Sequence, residues 1–266
     1  MIRSEDRILT THTGSLPRPD DLVQLMFAKE EGLQVETETL ARRIVSAVSE
    51  IVDKQIEAGL DLINDGELSK PSYATYIKDR LNGFKGESKP LVYQDLVEFP
   101  GIAKRVFDDP GRARRKTPGC NGPISVSDEK AVLDDVSNLQ KALANKSLEG
   151  SFLNAASPGV ISLFFSNTHY QDFESYIFAI AESMGYEYET ITNAGIILQV
   201  DCPDLAMGRH IQYASLDLQE FRKQAELHVE ALNHALRNVD PELVRLHLCW
   251  GNYEGPHHCD VPIAEI

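Results

Sequence analysis

Apolar positions along the chain follow two alternating rhythms. Short strand-like runs at 60–63, 152–154, 196–200 and 243–248 are separated by stretches whose apolar residues recur at helical spacing. Residues 40–59 set Leu40, Ile44, Ala47, Val48, Ile51 and Val52 on one helical face and stop at Gly59. Residues 216–239 do the same with Leu218, Phe221, Ala225, Leu232 and Leu236. Two further helices are predicted at 130–144 and 172–184, with an N-terminal strand at 7–11 and a weaker one at 124–126. Strands alternating with helices in this way predict a parallel α/β sheet.

The breaks after the strands gather polar residues: His12-Thr13-Gly14-Ser15, Asn64-Asp65-Gly66-Glu67, Ala155-Ala156-Ser157-Pro158-Gly159 and Asp201-Cys202-Pro203-Asp204. A TIM (β/α)₈-type barrel places its sites in this way, at the C-terminal ends of the strands. About six β/α units are legible where a closed barrel has eight. The expected architecture is therefore a single barrel domain over 1–266, incomplete at its C-terminus, with an irregular insertion at 85–118 that carries Pro100, Pro110 and Pro118. Open strand edges would favour self-association.

Composition narrows the partners. A formal net charge of −15 over 266 residues opposes nucleic acid or an anionic membrane surface as a ligand. No apolar run approaches the roughly 18 to 20 residues of a membrane span. The first residues lack an apolar signal core, which places the expected location in the cytoplasm. Four cysteines in a chain this long read as reduced thiols rather than a disulfide framework. The basic cluster Arg112-Ala113-Arg114-Arg115-Lys116 reads as a solvated loop, with a clamp for an anionic substrate tail as the functional alternative.

The run Leu243-Val244-Arg245-Leu246-His247-Leu248-Cys249 carries the sharpest chemistry. His247 and Cys249 alternate along a strand and project to the same side, and imidazole with thiolate is a favoured donor pair for Zn²⁺. The structural alternative is a hydrogen-bonded core histidine beside a buried cysteine. His257, His258 and Cys259 lie close enough in sequence to complete a local Cys/His site. Asp65 with Glu67, and Asp201 with Asp204, are carboxylate pairs suited to an ammonium group or a metal, although an Asp here also serves as a helix cap. Thr13, Gly14 and Ser15 offer hydroxyls and backbone N–H groups to a carboxylate. Phe164 and Phe165 read as core, with stacking on a flat ring as the alternative. His228 and His234 read as surface positions of a helix.

Taken together, Thr11-His12-Thr13-Gly14-Ser15-Leu16-Pro17-Arg18-Pro19, Asp65-Gly66-Glu67, Leu198-Gln199-Val200-Asp201-Cys202-Pro203-Asp204 and His247-Leu248-Cys249-Trp250-Gly251-Asn252 resemble the cobalamin-independent methionine synthase family, specifically its catalytic C-terminal barrel in the single-domain form. The resemblance implies a zinc (β/α)₈ barrel that moves a methyl group from 5-methyltetrahydrofolate polyglutamate to the homocysteine thiol, making methionine. On it, His247 and Cys249 are the first two zinc ligands. Ser15 with Thr13 and Gly14 holds the homocysteine carboxylate, and Glu67 and Asp201 hold its amino group. Cys120 and Phe164 fall near the folate-binding positions, Phe164 in place of a Trp. The family's other zinc ligands, a Glu and a Cys, and the histidine proposed to protonate the leaving folate nitrogen have no counterpart before residue 266. Three other readings remain: a related zinc thiol alkyltransferase of the epoxyalkane–coenzyme M type, a non-catalytic truncated remnant, and a metal-dependent hydrolase or decarboxylase on the same fold.

Overall fold

The computed structural model describes residues 3–87, 89–109 and 116–266. Of the basic cluster, Arg112 to Arg115 lie outside these residues, and Lys116 is exposed. Four parallel strands, β1 (Leu62–Ile63), β2 (Gly150–Ala156), β3 (Ile197–Asp201) and β4 (Val244–His247), form one sheet in sequence order. Where a strand is expected at 7–11, Thr11 makes a parallel bridge to Leu62 and the Thr10 carbonyl accepts from the Asp61 and Leu62 N–H groups. The segment expected as a strand at 124–126 does not join this sheet. Its Val126 makes an isolated antiparallel bridge to Leu81.

The connecting helices are α1 (Asp20–Glu30), α2 (Thr37–Glu57), α3 (Glu129–Leu143), α4 (Pro158–Phe164), α5 (Phe173–Asn193) and α6 (Leu218–Ala235). Their starts follow from local chemistry. Asp128, Ser157, Asp172 and Asp217 each accept a first-turn backbone N–H, and Asp217 with Glu220 completes a capping box. α5 runs nine residues beyond the sequence expectation because Tyr188, Ile191 and Thr192 continue its buried face. No helix among the described residues is long and apolar enough to cross a membrane. The segment from 85 to 109 holds two short helices, Gln94–Val97 and Pro100–Phe107.

Strand register sorts the sheet into two faces. Leu153, Ala155, Leu198 and Val200 turn outward and join Val52, Val136, Ile180 and Ala231 of the helices in the main core. The opposite face is layered. Phe152 and Ile197 pack with Leu62 and Leu9, and Arg245 lies over the Phe152 ring at 3.6 Å. Asn154, Gln199 and Arg245 form the next row across the strands, and Ala156, Asp201 and His247 the row nearest the C-terminal ends. Layers of inward side chains are the interior pattern of a (β/α)₈ barrel, and the chain forms part of one. β4 is the last strand of the sheet, and Leu246 on its outer face is 53% exposed.

Candidate functional site

The turn after β1 fixes the centre of the site. Asn64 and Asp65 fold back so that their side chains accept the Gly66 and Glu67 N–H groups at 2.7 and 2.9 Å. Gly66 and Glu67 both take positive φ, 65° and 57°. A glutamate gains nothing from this backbone on its own, so packing holds it there. The left-handed turn carries the Glu67 carboxylate inward, where it is 1% exposed.

Three segments clasp that carboxylate. Ser15 Oγ donates to Oε2 and Asn154 Nδ2 donates to Oε1, both at 2.5 Å. Arg18 supports the turn from behind, donating to the Glu67 and Lys70 carbonyls at 2.8 and 2.5 Å. Lys70 Nζ donates to the Asn154 carbonyl at 2.5 Å, which fixes the turn to β2. Two of the expected residues, Ser15 and Glu67, thus touch directly.

Asp201 ends β3 within electrostatic reach of Glu67. Burial first, and then the Glu67 charge, push its carboxyl up to about 7. Its ionised form is supported by Gln199 Nε2 at 2.9 Å, and Gln199 is itself held by Arg245 at 2.6 and 2.8 Å. Asp65 is also buried and pushed up to about 6, by desolvation and then by the charge of Asp135. Lys70 lowers both carboxyls and Arg245 lowers Asp201, without offsetting the burial of either.

His247 follows on the adjacent strand. Its Nδ1 lies 2.8 Å from Thr13 Oγ1, so Nε2 is the nitrogen available to a ligand. Burial, and then the Arg245 charge, lower its pKa and keep the ring neutral. Cys249 Sγ accepts the Gly251 N–H at 3.1 Å. Burial raises its pKa, with further increments from Asp201 and Asp260, so the unligated group is a thiol. His247 and Cys249 are the donor types zinc takes. Among the described residues, no group of three His, Cys or carboxylate donors within 4.8 Å includes either of them.

Other expected residues lie elsewhere. Cys120 is fully buried, with Sγ donating to the Gly122 carbonyl at 3.4 Å. Phe164 is half-buried at the end of α4 and meets the Tyr73 ring edge-on at 5.9 Å. Phe165 is core, in contact with Phe84 at 4.9 Å. His258 and Cys259 gather around Asp95 rather than joining His247 and Cys249. His228, expected at the surface, is 2% exposed: Nδ1 lies 2.8 Å from Asp204, and Nε2 is 2.8 Å from the Tyr213 hydroxyl. Asp204 also accepts from Ser157 Oγ at 2.7 Å, so it belongs to a buried structural network rather than to a pair with Asp201. His234 does lie near the surface, paired with Glu182.

Sequence reasoning missed Asn154 and Lys70. Both act only through the register of β2 against the turn after β1, a relation the linear sequence does not display.

No family model matches the chain. It is similar to the methionine synthases of Sulfolobus acidocaldarius, at 25% identity over 97% of this chain and 66% of that protein, and of Saccharolobus solfataricus, at 24% over 97% and 68%. The fold matches a B12-independent methionine synthase from Shewanella sp. W3-18-1 solved with selenomethionine (TM-score 0.64, 21% identity, 91% of this chain and 61% of that one). It also matches a putative B12-independent methionine synthase from Listeria monocytogenes (TM-score 0.63, 18% identity, 92% and 66%). The chain spans about two thirds of the length of the relatives it matches. These likenesses bear out the family resemblance carried by the four sequence motifs.

Proposed function

We propose that this chain, similar along nearly its whole length to methionine synthases, carries the amino-acid-thiol half of a methyl-transfer site, with homocysteine as acceptor and 5-methyltetrahydrofolate as donor. The observation that carries this reading is the juxtaposition of two buried carboxylates, Glu67 and Asp201, with the metal-type donors His247 and Cys249 at one end of the sheet.

Buried carboxylates raised by desolvation favour a further cation, and the α-ammonium of an amino acid supplies one. Glu67 is already oriented by Ser15 and Asn154 to receive it. The Gly14 turn, at φ 77°, opens the backbone beside Ser15 to the α-carboxylate. From those anchors the homocysteine side chain extends toward His247 and Cys249. A zinc ion held by His247 Nε2 and Cys249 Sγ would keep the substrate sulfur as a thiolate at neutral pH. The sulfur then attacks the methyl carbon, an S–C bond forms as the donor N–C bond breaks, and the donor nitrogen takes up a proton. What the chain's own residues supply is orientation of the thiol and exclusion of water.

The same acidity argues against coenzyme M, whose sulfonate two neighbouring carboxylates would repel. The test is binding of homocysteine against 4-mercaptobutyrate, which lacks only the amino group. We expect the zinc-loaded protein to prefer homocysteine at least tenfold, and Glu67→Gln with Asp201→Asn to erase that preference. Equal binding of the two thiols, or a preference for mercaptoethanesulfonate, would overturn the assignment. Transfer of a labelled methyl group from 5-methyltetrahydrofolate then tests the donor.

A further inference from the structure

A second group of metal-type side chains lies around Asp95, assembled from segments far apart in the chain. Asp95 comes from the short helix Gln94–Val97, His210 from the short helix Gly208–Ile211, and Asp260 from the C-terminal segment. One ligand atom from each falls within 4.8 Å of the others. Asp95 is fully buried and His210 is 2% exposed.

The feature that calls for a ligand is His210. Both of its ring nitrogens are buried without a hydrogen-bond partner. An unpaired buried polar group of this kind is destabilising unless a ligand satisfies it. Its Nε2 lies 3.7 Å from Asp260 Oδ1 and 3.9 Å from Asp95 Oδ2, too far for hydrogen bonds. Donors that share a zinc ion at about 2.0–2.2 Å sit roughly 3.3–3.6 Å apart in tetrahedral geometry. His210 Nε2 thus lies within a few tenths of an ångström of that spacing from each carboxylate oxygen.

The carboxylates are already oriented as ligands are. The Tyr253 hydroxyl donates to Asp95 Oδ2, and the Cys259 N–H donates to Oδ1 at 2.7 Å. His257 Nδ1 lies 3.1 Å from Asp260 Oδ2, and its ring stacks on Tyr253 at 4.7 Å. Outer partners that fix first-sphere groups in this way are characteristic of metal centres. A cavity of about 480 Å³, lined in part by Gln94, Arg209, His210, Leu218, Cys259 and Asp260, gives an ion a route in. The imidazole selects a transition ion over magnesium or calcium, which prefer all-oxygen sites.

We propose that Asp95, His210 and Asp260 form a divalent zinc-type site separate from His247 and Cys249, in which the ion ties the 94–97 helix and the C-terminal segment to the helix carrying His210. Two carboxylates and a neutral imidazole balance the charge of the ion.

The experiment uses the purified full chain carrying His247→Ala and Cys249→Ala, stripped with chelator and titrated with zinc against a competing indicator. We expect about one zinc per chain with unchanged circular dichroism, and a loss of affinity of at least tenfold when Asp260→Asn is added. A folded double variant that binds no zinc, or an Asp260→Asn change without effect, would overturn the proposal. If the double variant does not fold, zinc stoichiometry of the native chain against Asp260→Asn alone decides: a drop of one ion supports the site, and no drop overturns it. The preference for homocysteine over 4-mercaptobutyrate is expected to survive Asp260→Asn, so failure of this site and failure of the thiol site read out separately.

Discussion

Thr13 Oγ1 lies 2.8 Å from His247 Nδ1, joining the turn near the N-terminus to the last strand of the sheet. The bond fixes the ring orientation and leaves Nε2 toward the site. Replacing Thr13 by Val keeps the shape and removes the hydroxyl. Zinc affinity at His247 and Cys249 should fall about 10- to 100-fold, the usual effect of losing such a partner. Thr13 is exposed and His247 half-buried, so the thermal midpoint should barely move. Competitive zinc titration beside a melting curve checks both, and unchanged affinity would mean the hydroxyl does not orient the ligand.

Asp201 makes stability depend on pH in an unusual direction. Its folded pKa, about 7, lies above the ordinary carboxylate value, so between roughly pH 4 and 7 the native state binds the extra proton. The stability this gives is present at low pH and is lost as pH rises through 7, where the charge must be carried while buried. In metal-free protein, Asp201→Asn should gain roughly 2 to 4 kcal/mol relative to the parent between pH 5 and pH 8. Urea unfolding at the two pH values measures this, and parallel pH profiles for both proteins would contradict it.

Strand ends were legible in the sequence because alternation and turn residues are local signals: β1, β3 and β4 fall within a residue or two of their expected positions. So was the convergence of Ser15, Glu67, Asp201 and His247 on one end of the sheet, since each closes a strand or follows one. Cross-strand rows were not. Asn154, Gln199 and Arg245 form one layer only once register is set, and register depends on packing far away in the chain. The segment at 124–126 has strand residues, but its backbone meets Leu81, Asn82 and the Tyr170 hydroxyl rather than the sheet, so its propensity ends in a bridge. His228 is a different case, because its signal was present. It lies between Ala225 and Leu232 at the spacing of the apolar stripe of α6, and a histidine on a buried stripe needs polar partners inside the core.

Those partners make Gly159 sensitive. A Cβ added there would come within 1.9 Å of Asp204 Oδ2 and 2.5 Å of His228 Nδ1. Asp204 cannot retreat, because it also accepts from Ser157, which caps α4. Gly159→Ala should therefore destabilise the fold by about 2–4 kcal/mol, combining overpacking with a broken buried network. Chemical denaturation is the measurement, and a loss below about 1 kcal/mol would show that the network can rearrange.

Beneath the site, Arg80 bridges two buried carboxylates, donating to Asp135 at 2.5 Å and to Glu187 at 3.0 Å. Glu187 also accepts from the Tyr76 hydroxyl at 2.7 Å, and the guanidinium lies 4.6 Å from the Tyr76 ring. All four side chains are buried, so the charges are screened little by solvent. Removing Arg80 leaves the two buried carboxylates facing Lys70, 3.8 Å from Glu187, and truncating one partner of a buried ion group costs about 3–5 kcal/mol. Arg80→Met should lose about that much at pH 7, and the deficit should narrow toward pH 4 as the carboxylates regain protons. Asp135 is held below the ordinary range in the native protein: burial opposes ionisation, and the Arg80 and Lys70 charges overcome it. Without Arg80 its folded pKa rises, and the variant becomes relatively more stable as pH falls. A deficit that stays constant from pH 7 to pH 4 would locate the cost in lost packing rather than in charge.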